Sequence, residues 1–517
     1  MSARRWLRSA CVALAGLAGV SIATAAGAPS RIETTAGALD GTRDGDVSAF
    51  KGIPFAAPPV GDLRWRAPQP APRWSGVRNA TAFGSACMQK PGMSLENGGD
   101  AGALNEDCLY LNVWTPRAEP GARLPVMVWI HGGALIFGAG SLALYDGAPL
   151  ARQGVVVVTV NYRLGPLGFF AHPALDKAAP NGPANFGLLD QIAALQWVRR
   201  HVASFGGDPS RVTIFGQSAG AQSVLALMAS PSARGLFQQA IAQSPYGVPS
   251  HPRAKAQQVG VRIAEAVGLP GARTTLADLR RVPAEALAAL DDNALSLAPG
   301  FIVGDAAMPR SILAAFQAKQ QAAVPLMIGN NSDETSVALA FGIKPAVLVQ
   351  KLGAARIVVR PLYRGVTDDA ELGRQVVRDV VFTAFARRIA VLQSERAPTW
   401  RYYYSRLPSN AQNQPGVGHG GEIPAVFGTG DSCNCLGAPL TPADRAAGAA
   451  LAERWVAFAR SGEPTASSGA RWPTDSRARP VVLDFADAEA VEPDFMRQRL
   501  NTFIGALNLI GAARPAN

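Results

Sequence analysis

A serine hydroxyl attacks a carbonyl carbon only when a neighbouring base takes its proton. One serine in this chain sits in a setting built for that role, within Gly216-Gln217-Ser218-Ala219-Gly220. An apolar run from Val212 to Phe215 leads in, and Ala221, Val224, Leu225 and Met228 follow at helical spacing. A strand entering a helix through G-x-S-x-G is a nucleophile elbow. Such a turn strains the serine backbone, so its neighbours must be small, and Gly216, Ala219 and Gly220 are. The strain lifts the Ser218 hydroxyl clear of the sheet and leaves the Ala219 N–H free to face a bound oxygen. A bare G-x-S-x-G also occurs as a structural turn; the strand–turn–helix setting favours the nucleophile.

A reacting carbonyl needs further donors for its developing charge. Leu124 to Ile130 (LPVMVWI) reads as a buried strand running into His131-Gly132-Gly133-Ala134-Leu135. Small residues past a strand end free backbone N–H groups to face a ligand. This loop is the expected second arm of an oxyanion hole. The base must be a histidine, and five exist: His131, His172, His201, His251 and His419. In this class of fold the chain order is serine, acid, histidine. Three histidines precede Ser218, and His251 follows too soon for an intervening strand. His419 remains, in the glycine-rich loop Gly416 to Glu422. The acid must lie between. Asp333 and Glu334 both follow the apolar run Val324 to Gly329, and pattern alone does not choose between them.

The elements that must hold these residues alternate in type. Glu106 to Trp114 ends in an alternating strand, and Gly154 to Tyr162 is a continuously apolar one of the parallel-sheet kind. Asn185 to Val202 carries a helical apolar stripe and is stopped by Phe205-Gly206-Gly207-Asp208-Pro209. Further strands are expected over Phe237 to Ser244 and Thr399 to Ser405. Helices are expected over 250–320 and 337–397, where the substrate walls would lie. A last helix near Ala443 to Arg460 would close the fold. The proline-rich stretch Phe50 to Pro68 reads as an ordered loop. The order predicts an α/β fold: a large, mostly parallel central sheet with helices on both faces.

Composition narrows the class. The 517 residues carry a formal charge of +11, dispersed and without a basic cluster interleaved with aromatics, so no nucleic-acid partner is inferred. Arg4, Arg5 and Arg8 precede the apolar run Ala10 to Ala23, which predicts a secretory signal over residues 1–25, with cleavage possible as late as Ala28. Arg4-Arg5 leaves the export route open between the general and twin-arginine pathways. No later run is apolar enough to span a bilayer. Removing the signal leaves about +8 and four cysteines: Cys87, Cys108, Cys433 and Cys435. Export permits disulfides, and four cysteines allow three pairings. Cys433 and Cys435 could bridge only in a small ring; a metal site there is the weaker alternative, with no histidine cluster around it.

Taken together, these stretches resemble the type-B carboxylesterases, the family of cholinesterases and bacterial para-nitrobenzyl esterases. The resemblance rests on FKGIPFAAPPVGDLRW, EDCLYLNVW, HGGA, NYRLGPLGF, NFGLLDQIAALQWV with FGGDP, FGQSAG, GNNSDET, GHGGEIPAVFG and WVAFARSGEP, nearly end to end. It implies one α/β-hydrolase domain over 29–517. It implies Ser218 as nucleophile, His419 as base and Glu334 rather than Asp333 as acid. Oxyanion donors would be the N–H groups of Gly133, Ala134 and Ala219. Ser244 would stand behind the acid, and Cys87 would pair with Cys108. The implied reaction is hydrolysis of small-molecule esters with short to medium or aromatic acyl groups, with no cofactor or metal. Gln217 departs from the family's usual Glu, and no tryptophan lies between Cys87 and Cys108 to meet a choline cation, so choline esters are disfavoured. The loop between these cysteines is short and polar, which disfavours long-chain lipase activity. Ala134 replaces a third glycine without removing its backbone donor. Two rivals remain: other acyl chemistry on the same residues, such as amide or thioester cleavage or acyl transfer, and a non-catalytic binding relative.

Overall fold

The computed structural model describes residues 28–512 except 93–98, 249, 291–299, 341, 343, 412, 434 and 437. The expected signal, residues 1–25, lies outside the described residues. No helix among them is long and apolar enough to cross a membrane.

A 13-stranded sheet organises the chain. Its order is Ala28–Thr34, Gly37–Asp44, Val47–Pro54, Tyr110–Thr115, Val156–Val160, Leu124–Ile130, Gly207–Gln217, Gln239–Gln243, Leu326–Asn331, Thr399–Tyr404, Val481–Phe485 and Glu489–Pro493, with Val77–Asn79 paired beside the second strand. From Val156–Val160 to Val481–Phe485 every pairing is parallel. The main run of the first edge and the last pair are antiparallel. The central strands are apolar on both faces because both are covered. Val126, Val128 and Ile130 enter one core with Ile214 and Leu225, while Met127 and Trp129 enter the other with Phe215, Trp455 and Phe458.

Several expected elements shift. Phe50–Pro54 is the end of strand Val47–Pro54, not loop. The proline is tolerated as its last residue, where no further ladder donor is required, and the register slips between Phe50 and Ile53. The strand before the acid runs to Asn331 rather than Gly329, because Asn330 and Asn331 pair with Tyr403 and Tyr404. The helix Pro442–Ser461 does not close the fold. Two edge strands and the helix Arg497–Ala512 follow it. Helices make up most of the described part of 337–397, as expected, but Arg378–Thr383 forms a π-helical turn.

Parallel strands present their carboxyl ends on one edge, where crevices bind ligands. The register aligns those ends: Gly216 lies beside Ile130, Gln217 beside Gln243, and Gln243 beside Gly329. The loops of interest all leave from this edge.

Candidate active site

The elbow forms where the strand Gly207–Gln217 turns into the helix Ala219–Ala229. Ser218 has φ 57° and ψ −122°, which costs a non-glycine residue about 1–3 kcal/mol. The core around it compensates: its N–H donates to the Gln243 carbonyl at 2.8 Å, and the following helix is buried throughout. A Cβ on Gly220 would lie 2.0 Å from the Ile130 carbonyl oxygen, and one on Gly216 2.6 Å from the same atom. Only glycine lets the helix approach the neighbouring strand this closely. Ala134 (φ 52°), Leu135 (φ 64°) and Ser244 (φ 51°) are also left-handed, so strained backbone collects around Ser218.

Next to the elbow, the loop after Ile130 turns at Gly133, where φ is 101° and a Cβ would meet the Phe137 carbonyl oxygen at 2.0 Å. The N–H groups of Gly133, Ala134 and Ala219 donate to no other described residue. His131 is fully buried, with Nδ1 2.8 Å from the Gly132 carbonyl and its ring stacked on Tyr162. Burial pushes its pKa down to about 4, so it stays neutral. The loop is also clamped from outside. Gln89 donates through Nε2 to the Gly138 carbonyl at 3.0 Å and accepts from the Gly138 N–H at 2.8 Å. Gln89 lies two residues past Cys87, which is bonded to Cys108.

The loops that carry Glu334 and His419 meet. Glu334 is completely buried and contacts Nδ1 of His419 through Oε2. Its Oε1 accepts from the Ser244 hydroxyl and from the Asn331 N–H, both at 2.7 Å. Asp333 turns away: its carboxylate accepts from the N–H and hydroxyl of Thr335. The structure therefore brings Glu334, and not Asp333, to the histidine. The histidine loop is pinned by Val417 N–H to Ser332 Oγ and His419 N–H to Ser336 Oγ, each 2.9 Å, and it turns at Gly420 (φ 81°). Phe382, in the π-helical turn, packs at 5.3 Å from the His419 ring. The Ser218 hydroxyl makes no hydrogen bond to a described residue. His419 Nε2 instead lies 3.2 Å from Nε2 of Gln217. Such bonds are often open before substrate arrives.

Serine elbow, unclaimed backbone donors and a buried carboxylate–imidazole pair share one edge of the sheet. A profile of the carboxylesterase family matches residues 28–358 and 367–503. The chain belongs to the carboxylesterase family. This carboxylesterase is 37% identical over 474 residues to the fumonisin B1 esterase of Sphingopyxis macrogoltabida, covering 87% of this chain and 85% of that one. It is 36% identical over 470 residues to the para-nitrobenzyl esterase of Bacillus subtilis, covering 88% and 94%. A solved para-nitrobenzyl esterase superposes with a TM-score of 0.79 at 34% identity, over 91% of this chain and 99% of the other. A Geobacillus stearothermophilus carboxylesterase superposes at 0.80 and 31%, over 92% and 99%. The fold is that of the α/β hydrolases, and the chain is a carboxylic ester hydrolase.

Sequence reasoning passed over three residues of the esterase site. Glu422 is fully buried beside the acid, accepting from Gln243 Nε2 at 2.9 Å and Asn331 Nδ2 at 2.6 Å. Burial raises its carboxyl pKa, and Glu334 adds to the effect. Its position three residues past His419, just before the apolar helix Ile423–Phe427, was the available signal. Phe382 gave none, since a π-helical turn has no distinct spacing. Gln89 gave none either, because its partner lies 49 residues away. Cys433 and Cys435 are bonded to each other in the structure.

Proposed function

We propose that Ser218, His419 and Glu334 form the catalytic triad of a carboxylesterase acting on small-molecule esters with short to medium or aromatic acyl groups. The observation that carries this reading is the buried Glu334 carboxylate on His419 Nδ1, beside a serine held in strained backbone. Ser218 Oγ attacks the ester carbon as its proton passes to His419 Nε2. The carbonyl oxygen becomes an anion and accepts from the N–H groups of Gly133, Ala134 and Ala219; losing one such donor typically costs about 10²–10³ in rate. The carbon–oxygen bond to the alcohol then breaks, and His419 returns the proton to the leaving oxygen. Water repeats the attack on the acyl-serine, giving up a proton to His419, and Ser218 recovers it as the acid departs. Glu334 holds the imidazole tautomer and stabilises the imidazolium.

The names of the relatives, an esterase for fumonisin B1 and one for para-nitrobenzyl esters, support a small-molecule carboxylic ester as substrate. We also read residues 1–25 as an export signal; the Cys87–Cys108 and Cys433–Cys435 bonds suit the oxidising compartment it would lead to. The test is hydrolysis of p-nitrophenyl esters from acetate to palmitate by the wild type and by Ser218→Ala. Short-chain turnover that vanishes with the substitution supports the assignment. Turnover by the folded variant at the wild-type rate sinks it.

A further inference from the structure

The ring of His419 has two nitrogens, and the structure gives each a polar partner. Nδ1 faces the Glu334 carboxylate, which only accepts, so Nδ1 carries the proton. Nε2 is then a bare lone pair. The polar side chain on it is Gln217, whose Nε2 lies 3.2 Å away and donates. Gln217 is fully buried, so this contact is not diluted by solvent. Its Oε1 is also buried and accepts from no described residue, so the amide is held at its nitrogen end alone. A Cβ on Gly132 would come within 3.1 Å of Oε1 and 3.2 Å of Ser218 Cβ, and one on Gly420 within 3.6 Å of Gln217 Nε2. The amide thus lies between the oxyanion loop and the histidine loop, alongside the nucleophile.

We infer that Gln217 is a positioning residue that holds His419 as the free base, with its lone pair aimed into the elbow, until the Ser218 hydroxyl takes over that lone pair. The inference rests on the triad proposed above. An amide N–H next to Nε2 stabilises the neutral ring and opposes an added proton, since N–H would then face N–H. It therefore keeps the base available as the pH falls. A carboxylate in the same place would do the reverse.

Among the described residues, the other titratable groups around the ring are engaged elsewhere. Glu334 holds Nδ1, and Asp333 is turned to Thr335. Glu422 accepts from Gln243 and Asn331, and Asp379 from Arg378, Arg499 and the Tyr363 hydroxyl. His131 is turned to the Gly132 carbonyl, and burial keeps the proton on Tyr246. Phe382 closes the remaining side with an apolar ring.

The experiment is the pH profile of kcat/KM on a p-nitrophenyl ester for wild type, Gln217→Glu and Gln217→Met, with folding checked by circular dichroism. In Gln217→Glu the acid limb moves up by about one pH unit or more, a roughly tenfold loss on the acid slope. In Gln217→Met, which keeps the length and loses the donor, it moves up by less, a loss of about threefold. Acid limbs that superpose on the wild type, or move down, overturn the inference while leaving the triad intact. If neither variant folds, ¹⁵N-histidine NMR of the wild type decides, with His419 assigned by difference from His419→Gln. A ring protonated at Nδ1 with a hydrogen-bonded Nε2 upholds it. A ring protonated at Nε2 overturns it. Wild-type turnover by Ser218→Ala sinks the triad instead, and the two failures stay distinct.

Discussion

The two halves of the site are built by different means. The elbow and the oxyanion loop are held mainly by backbone: strained dihedrals at Ser218 and Ala134, close approach at Gly133 and Gly220, and a strand register that sets Gly216 beside Ile130, with the Gln89 side chain as an outer clamp. The acid–base half is held by side chains. Ser244, Asn331, Ser332 and Ser336 reach between loops more than 80 residues apart to fix Glu334 and His419. Backbone geometry does not titrate, whereas the side-chain half includes Glu422, whose carboxyl pKa burial pushes up. The difference teaches that one half of this site is set by local chain conformation and the other by side-chain partners far apart in the sequence.

Each half can be broken in its own way. The largest effect is expected from Glu334→Gln, which leaves the elbow intact and removes the charge behind the imidazole; kcat should fall about 10⁴-fold with little change in thermal stability. Gly220→Ala attacks the other half: its Cβ would press on the Ile130 carbonyl, and a destabilisation of about 3 kcal/mol should appear in urea unfolding, with no shift in the pH profile of the surviving activity. Next comes His131, the titrating exception within the backbone-built half. Its pKa is depressed in the folded protein to about 4 from 6.5, so the unfolded chain takes up a proton first as the pH falls. Stability from this residue is present above pH 6.5 and is lost between pH 6.5 and 4, by about 3 kcal/mol in all. Melting curves of His131→Phe, which keeps the stack on Tyr162, should fall less steeply over that window. Ser244→Ala removes one donor from Glu334, and kcat should drop about tenfold. The smallest effect belongs to Glu422. Its raised carboxyl pKa favours the protonated form in the fold, so its stabilisation is present at low pH and fades as the pH rises through that value. Glu422→Gln should melt slightly below the wild type at low pH, with the gap narrowing as the pH rises.

The same division explains what could be read from the sequence. Backbone devices are local, so Gly132-Gly133-Ala134 and Gly216 to Gly220 carry their geometry in consecutive small residues. The strand Leu124–Ile130 was legible to the residue, since a run buried on both faces is apolar throughout. The acid was not: Asp333 and Glu334 are chemically equivalent in pattern, and the resemblance to known esterases, not periodicity, favoured Glu334. What decides between them is Ser244, 90 residues away along the chain, a partner supplied by tertiary packing. The edges were the least legible. Val47–Pro54 was hidden by Pro54 and the prolines that follow it. Val481–Phe485 and Glu489–Pro493 follow a long capped helix that reads as a natural end.

The clamp of Gln89 on Gly138 has a consequence for how the enzyme must be made. The cross-link between Cys87 and Cys108 closes the segment that carries Gln89, and Gln89 grips the far end of the loop bearing Gly133 and Ala134. Neither cysteine lies in a strand of the 13-stranded sheet, although both are buried in the core beside it. Protein produced in a reducing cytosol should therefore fold its sheet and bind an ester, yet turn it over more slowly than protein matured under oxidising conditions. Thiol oxidation then acts as a step of enzyme maturation, and yield judged by soluble protein alone would overstate the amount of competent catalyst.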